Sequence, residues 1–154
     1  MTDIARGTTV TVGVVQGGTR SNVVPAEAAA EIDVRITSMD EAERITKAIK
    51  ALEPEVNGAR LEIRGSINRP PMERTSETAR LFEAARRIAA QMGIDLKEGS
   101  TGGASDGNLT SALGIPTLDG LGAVGDGAHA VEEWVEIASL PQRAALIAAL
   151  IGNS

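Results

Sequence analysis

Apolar and polar positions alternate with a period of two in two stretches near the start of the chain. Val10 to Val15 is a β-branched run ended by Gln16-Gly17-Gly18, and from Ala28 to Ile36 the positions Ala30, Ile32, Val34 and Ile36 alternate against Glu31, Asp33 and Arg35. Both stretches read as strands, the second with one face toward water. Between them Ser21-Asn22-Val23-Val24-Pro25 reads as a loop, because Pro25 has no N–H to give to a ladder. The period then changes to that of a helix. Ser38 precedes Glu41 at capping-box spacing, and Ala42, Ile45, Ile49 and Leu52 fall on one stripe, which predicts a helix over about 39–52. Arg60 to Ile67 alternates again and predicts a third strand, which Arg69-Pro70-Pro71 ends.

A boundary at the proline pair divides the chain into residues 1–70 and 71–154. The second part opens with Ser76 as an expected helix cap, followed by a stripe of Leu81, Phe82, Ala85, Ile88, Ala89 and Met92 that Gly93 stops. A short strand is expected near Ile94 to Lys97, then a glycine-rich loop from Gly102 to Gly107, a short helix to Leu113 ended by Gly114, and Ile115-Pro116-Thr117-Leu118. Trp134 to Ile137 again reads as a strand. Ser139 as cap, Pro141 in the first turn and Ala144, Ile147, Leu150 and Ile151 as an apolar face predict a closing helix. Strands alternating with helices imply an α/β layer.

The composition narrows the function classes. Forty-two per cent of residues are apolar, enough for a core, but that core must be aliphatic, because the chain has one Trp, one Phe and no Tyr. An aromatic platform for stacking bases is therefore not expected. The net charge of -6 repels phosphate backbones and anionic lipid surfaces alike, so neither nucleic acid nor membrane is an expected partner. With no Cys there is neither a disulfide framework nor a thiolate metal site. No apolar run near Met1 suggests a signal peptide or membrane span, and a cytoplasmic setting is the expectation.

Three motifs compete for the chemistry. Gly120-Leu121-Gly122-Ala123-Val124-Gly125 has the spacing of a dinucleotide fingerprint, but Asp126-Gly127 continues the loop where that fingerprint needs a helix to begin. Gly103-Ala104-Ser105-Asp106-Gly107 has the form of a nucleophile elbow, and Asp119 and His129 follow in triad order. The segment before it, Asp95 to Gly99, is too polar for the buried strand such an elbow needs, and the triad would be packed into too short a stretch. His129, the only histidine, lies among Asp126, Glu132 and Glu133. It is either a solvated loop residue or one metal donor whose companions lie elsewhere, since zinc takes three or four protein ligands.

Four blocks taken together carry a family likeness: Gly17-Gly18-Thr19-Arg20-Ser21-Asn22-Val23-Val24-Pro25, Glu31-Ile32-Asp33-Val34-Arg35, Thr101-Gly102-Gly103-Ala104-Ser105-Asp106-Gly107-Asn108, and Gly127-Ala128-His129-Ala130 before Trp134-Val135-Glu136-Ile137. In order and spacing they resemble the zinc exopeptidases that include bacterial glutamate carboxypeptidase, acetylornithine deacetylase and succinyl-diaminopimelate desuccinylase. The resemblance implies that residues 1–70 are the later part of an inserted lid that carries a homodimer contact, and that 71–154 are the C-terminal part of an α/β catalytic domain.

By the same resemblance His129 is a ligand of one of two zinc ions, while the other ligands and the general base lie upstream, so that this chain has no catalytic residue and is inactive alone. Asn22 is then expected to reach toward the substrate, Arg69 to clamp a substrate carboxylate with its guanidinium fork, and the Gly102-Gly103 backbone to bind the same group. The implied substrate is a small peptide or N-acyl amino acid. A folded, non-catalytic remnant is the competing expectation. A cut through the lid further implies exposed apolar surface along the stripes at Ile45 and Ile49 and at Phe82 and Ile88.

Overall fold

The computed structural model describes residues 1–152, which form two compact units, Met1–Glu73 and the remainder from Arg74 on. Helices and small sheets follow one another along the chain, as expected of an α/β fold.

The first unit begins with a single 3-10 turn, Ile4–Arg6, capped by the Asp3 side chain. Strand β1, Thr9–Gly17, then pairs antiparallel with β2, Ala28–Arg35. The register slips between Val12 and Val14, where Gly13 is the extra residue of a bulge. Cross-strand partners share a face, so the bulge keeps Val10, Val12 and Val15 beside Val34, Ile32 and Ala30. A regular strand would have turned Val15 to the opposite side.

Helix α1, Met39–Lys50, starts where the serine spacing requires: Ser38 Oγ accepts from the Glu41 amide at 3.3 Å. Asp40 and Glu41 lie in its first turn and Lys47 and Lys50 in its last, matching the helix dipole. Its inner face buries Ala42 and Ile45. Residues 60–67, expected as a third strand, form no ladder among the described residues. Their alternation survives in the sequence, but a strand exists only against a partner, and Leu61, Ile63 and Ile67 remain exposed.

The second unit is organised by helices α2, Ser76–Gln91, and α4, Ser139–Gly152. Leu146 of α4 is fully buried against Ala85 and Ala89 of α2 and Leu96, with Phe82, Ile88, Ile94, Leu118 and Leu150 packed around them. The cap of α2 is Thr75 rather than Ser76. Thr75 is extended and its Oγ1 accepts from the Thr78 amide at 3.1 Å, so Ser76 is already the first helical residue. Gly93, at φ 73, stops the helix as expected, with its amide on the Ala90 carbonyl and the Ile94 amide on that of Ala89.

Helix α3, Gly107–Ala112, ends the same way at Gly114. No ladder forms near Ile94 to Lys97, and of the stretch Trp134 to Ile137 only Trp134–Val135 pairs, with Gly125–Asp126. These two short strands are β3 (Gly125–Asp126) and β4 (Trp134–Val135). The helix stripes are better covered than expected: Ile45 is buried, and Phe82 and Ile88 pack on the core. Helices can cover their stripes against neighbours within their own unit. Exposed apolar residues occur on strands and loops, among them Val15, Val24, Val131 and Ile137, and also on α4, where Ile147 and Ile151 of the expected apolar face are exposed.

Candidate functional site

In the first unit the sequence singled out Asn22 and Arg69. Asn22 sits in the exposed loop joining β1 to β2, where the Val23 amide closes a turn on the Arg20 carbonyl. Thr19, Val23, Val24 and the facing strand ends line an open groove beside it. Arg69 is exposed at the end of the unpaired segment, immediately before Pro70.

The strongest electrostatic feature of this unit was not anticipated. Glu41 is only 5% exposed and accepts from Thr8 Oγ1 at 2.5 Å, Arg44 Nη2 at 2.6 Å and Arg6 Nη1 at 3.1 Å. Hydrogen bonds from Arg44 and then Thr8 outweigh desolvation and lower its pKa from 4.5 to about 2. The sequence signal was present: Glu41 lies four residues before Ile45, on the apolar stripe. The carboxylate therefore fastens the N-terminal segment to α1 instead of closing the second half of the capping box.

In the second unit, Gly102 and Gly103 lie in the exposed loop ahead of α3. The Gly103 amide donates to Thr101 Oγ1 at 3.3 Å. The loop is held by Asn108, whose Oδ1 accepts from the Ser105 amide at 2.9 Å, and by Ser105 Oγ, which accepts from the Gly107 amide at 3.0 Å. Asp119 in turn accepts from the Gly120 amide at 2.8 Å. Serine and aspartate are thus each engaged locally, and among the described residues neither bonds His129, so the geometry offers no support for a triad.

His129 occupies the exposed turn joining β3 to β4. Its φ of 68° makes it the one non-glycine residue among those described with a left-handed backbone. Such a conformation is uncommon outside glycine, and histidine is, with asparagine and aspartate, among the side chains that adopt it most readily. The turn is tight: the Ala130 amide bonds the Gly127 carbonyl at 2.8 Å, and Asp126 Oδ1 accepts from the Gly127 amide at 2.7 Å.

An imidazole on an exposed, conformationally fixed turn suits one position in a zinc site. Among the described residues, however, no group of three or more His, Cys, Asp or Glu side chains is gathered as a metal site needs. His129 therefore fits as one donor of a shared site and does not form a site by itself. Nor is any described helix long and apolar enough to cross a membrane.

The chain is similar to known proteins along most of its length. The family model described as Peptidase family M20/M25/M40 matches residues 4–153. A succinyl-diaminopimelate desuccinylase of Magnetococcus marinus is 29% identical over 128 residues, 82% of this chain and 33% of that protein. Carboxypeptidase G2 of a Pseudomonas species is 27% identical over 142 residues, 90% of this chain and 34% of that enzyme. The uncharacterized protein YqjE of Bacillus subtilis is 27% identical over 147 residues, 94% of this chain and 39% of its own length. The chain thus spans about a third of the length of the curated relatives it matches.

Proposed function

We propose that this chain, which belongs to peptidase family M20/M25/M40, contributes the histidine-bearing part of a zinc-dependent metallopeptidase or amidohydrolase that cleaves an amide or peptide bond next to a carboxylate-bearing residue. The observation that carries the reading is His129, held in a left-handed turn of a glycine-bounded hairpin and exposed to solvent. Its imidazole supplies one nitrogen donor. The other donors and the general base come from outside the chain.

Zinc, when bound, would polarise the scissile carbonyl and lower the pKa of a bound water. The chain's own residues bind and orient. In the first unit Arg69 suits a substrate carboxylate with its two parallel N–H bonds and Asn22 can donate its side-chain amide to substrate oxygen, while in the second unit the Gly102-Gly103 loop offers backbone to a carboxylate. The names of two relatives, a desuccinylase and a carboxypeptidase, support substrates that are N-acyl amino acids or small peptides. A homodimer through the first unit belongs to the same proposal, since among the described residues β1 and β2 each leave one edge unpaired. A cytoplasmic setting is consistent with the absence of Cys.

Calorimetric titration of the chain with zinc, beside an assay with N-acyl glutamates, tests the reading. Weak binding that disappears in His129→Ala, with no turnover by the chain alone, is the expected result. Sub-micromolar binding that survives His129→Ala would overturn the ligand assignment. The absence of any His129-dependent binding would favour the non-catalytic remnant, and turnover abolished by a fluorophosphonate would restore Ser105 as a nucleophile.

A further inference from the structure

One buried hydroxyl ties the His129 hairpin to a helix. Ser139, the first residue of α4, is 5% exposed. Its Oγ donates to the Glu136 carbonyl at 2.7 Å and accepts from the Val124 amide at 3.0 Å. The Val124 carbonyl accepts from the Glu136 amide at 2.8 Å. Both backbone groups of Val124, the residue just before β3, are therefore fixed, and so is the residue just after β4.

A capping serine spends its hydroxyl on the second or third amide of its own helix. Ser139 gives its acceptor to the hairpin instead. The hairpin needs it, because two strands of two residues each hold too few bonds to persist unaided. Its strands also approach closely. A Cβ added at Gly125 would lie 2.3 Å from the Trp134 carbonyl oxygen, and one at Gly127 would lie 3.2 Å from that of Glu132. A slip at the base of so compact a hairpin would pass to its turn, where His129 is held at φ 68°.

We propose that Ser139 is a positioning residue: its buried hydroxyl locks the base of the β3–β4 hairpin and so fixes the left-handed backbone that presents the His129 imidazole. The functional meaning rests on His129 being a metal donor, but the conformational coupling does not. The two are tested by different signals.

Nuclear magnetic resonance of the full chain decides the matter with Ser139→Ala, Ser139→Thr and zinc as the added probe. In Ser139→Ala the Val124 amide should exchange about fivefold to tenfold faster, as expected for one lost hydrogen bond. The His129 HN–Hα coupling and Cα shift should lose their positive-φ values, and the zinc response of the His129 ring should weaken, while the Ile94 amide at the end of α2 stays protected. Ser139→Thr, which keeps the hydroxyl, should recover all three signals. An unchanged His129 coupling in Ser139→Ala overturns the proposal. If Ser139→Ala also exposes Ile94, the unit has loosened as a whole and Ser139→Thr decides: recovery at His129 supports the coupling, and anything less overturns it. A wild-type ring that ignores zinc would refute the donor reading and leave the coupling standing.

Discussion

Replacing Leu146 with Ala should be among the most destabilising single truncations in the second unit. Leu146 is fully buried, and the residues facing it, Ala85 and Ala89, are also fully buried. The change removes three carbons, worth roughly 2.4 kcal/mol at about 0.8 kcal/mol each. A cavity term adds to this, and its size depends on how far the walls can collapse. Two alanines on the rigid backbone of α2 have no rotamers with which to fill a void, so relaxation falls to the larger side chains around them, Leu96 and the partly buried Phe82, Ile88, Ile94, Leu118 and Leu150. The expected cost is therefore about 3 to 4 kcal/mol, in the middle of the range for such truncations. Urea unfolding followed by fluorescence reads it directly, since Trp134 is the only tryptophan and lies in this unit. Ile147→Ala is the control, because Ile147 is the next residue but 37% exposed. A cost below about 1 kcal/mol for Leu146→Ala, or one equal to that of the control, would refute this account of the α2–α4 core.

Two further perturbations test local features. The folded pKa of Glu41, about 2, lies below its ordinary 4.5; the stability it contributes is therefore present above 4.5 and is lost as pH falls toward 2. Amide exchange in α1 of Glu41→Gln should accordingly differ most from wild type near neutral pH and converge with it near pH 2, whereas parallel profiles would show that the carboxylate does not fasten α1. Thr75→Ala removes the side-chain cap of α2 and should lower the stability of the second unit by about 1 kcal/mol in the same urea experiment, with Ser76→Ala nearly silent; the reverse order would return the cap to Ser76.

What was legible in the sequence was what neighbours in the chain close among themselves. Ser38 before Glu41, the stripe ending in Gly93 and the short helix ending at Gly114 all involve groups within one or two helical turns, and all appear as expected. The cap of α2 was displaced by one residue because Thr75 and Ser76 are chemically equivalent caps, and only the extended backbone at Thr75 distinguishes them. The bulge was concealed because Val12-Gly13-Val14-Val15 alternates imperfectly, and its meaning appears only once the partner strand sets the register. Glu41 was read as half of a capping box because its other partners, Thr8 and Arg6, are more than thirty residues away.

The unpaired segment 60–67 and the candidate donor His129 belong to one class. Alternation specifies which face a strand would present, and residue type specifies which atom a ligand would offer. Each is only half of an interaction. A ladder needs a second strand and a zinc site needs three or four donors, and neither complement is found among the described residues. On the proposed reading of His129, each unit thus carries one half of such an interaction, in a chain that the family model matches over residues 4–153 and that spans about a third of its relatives' length.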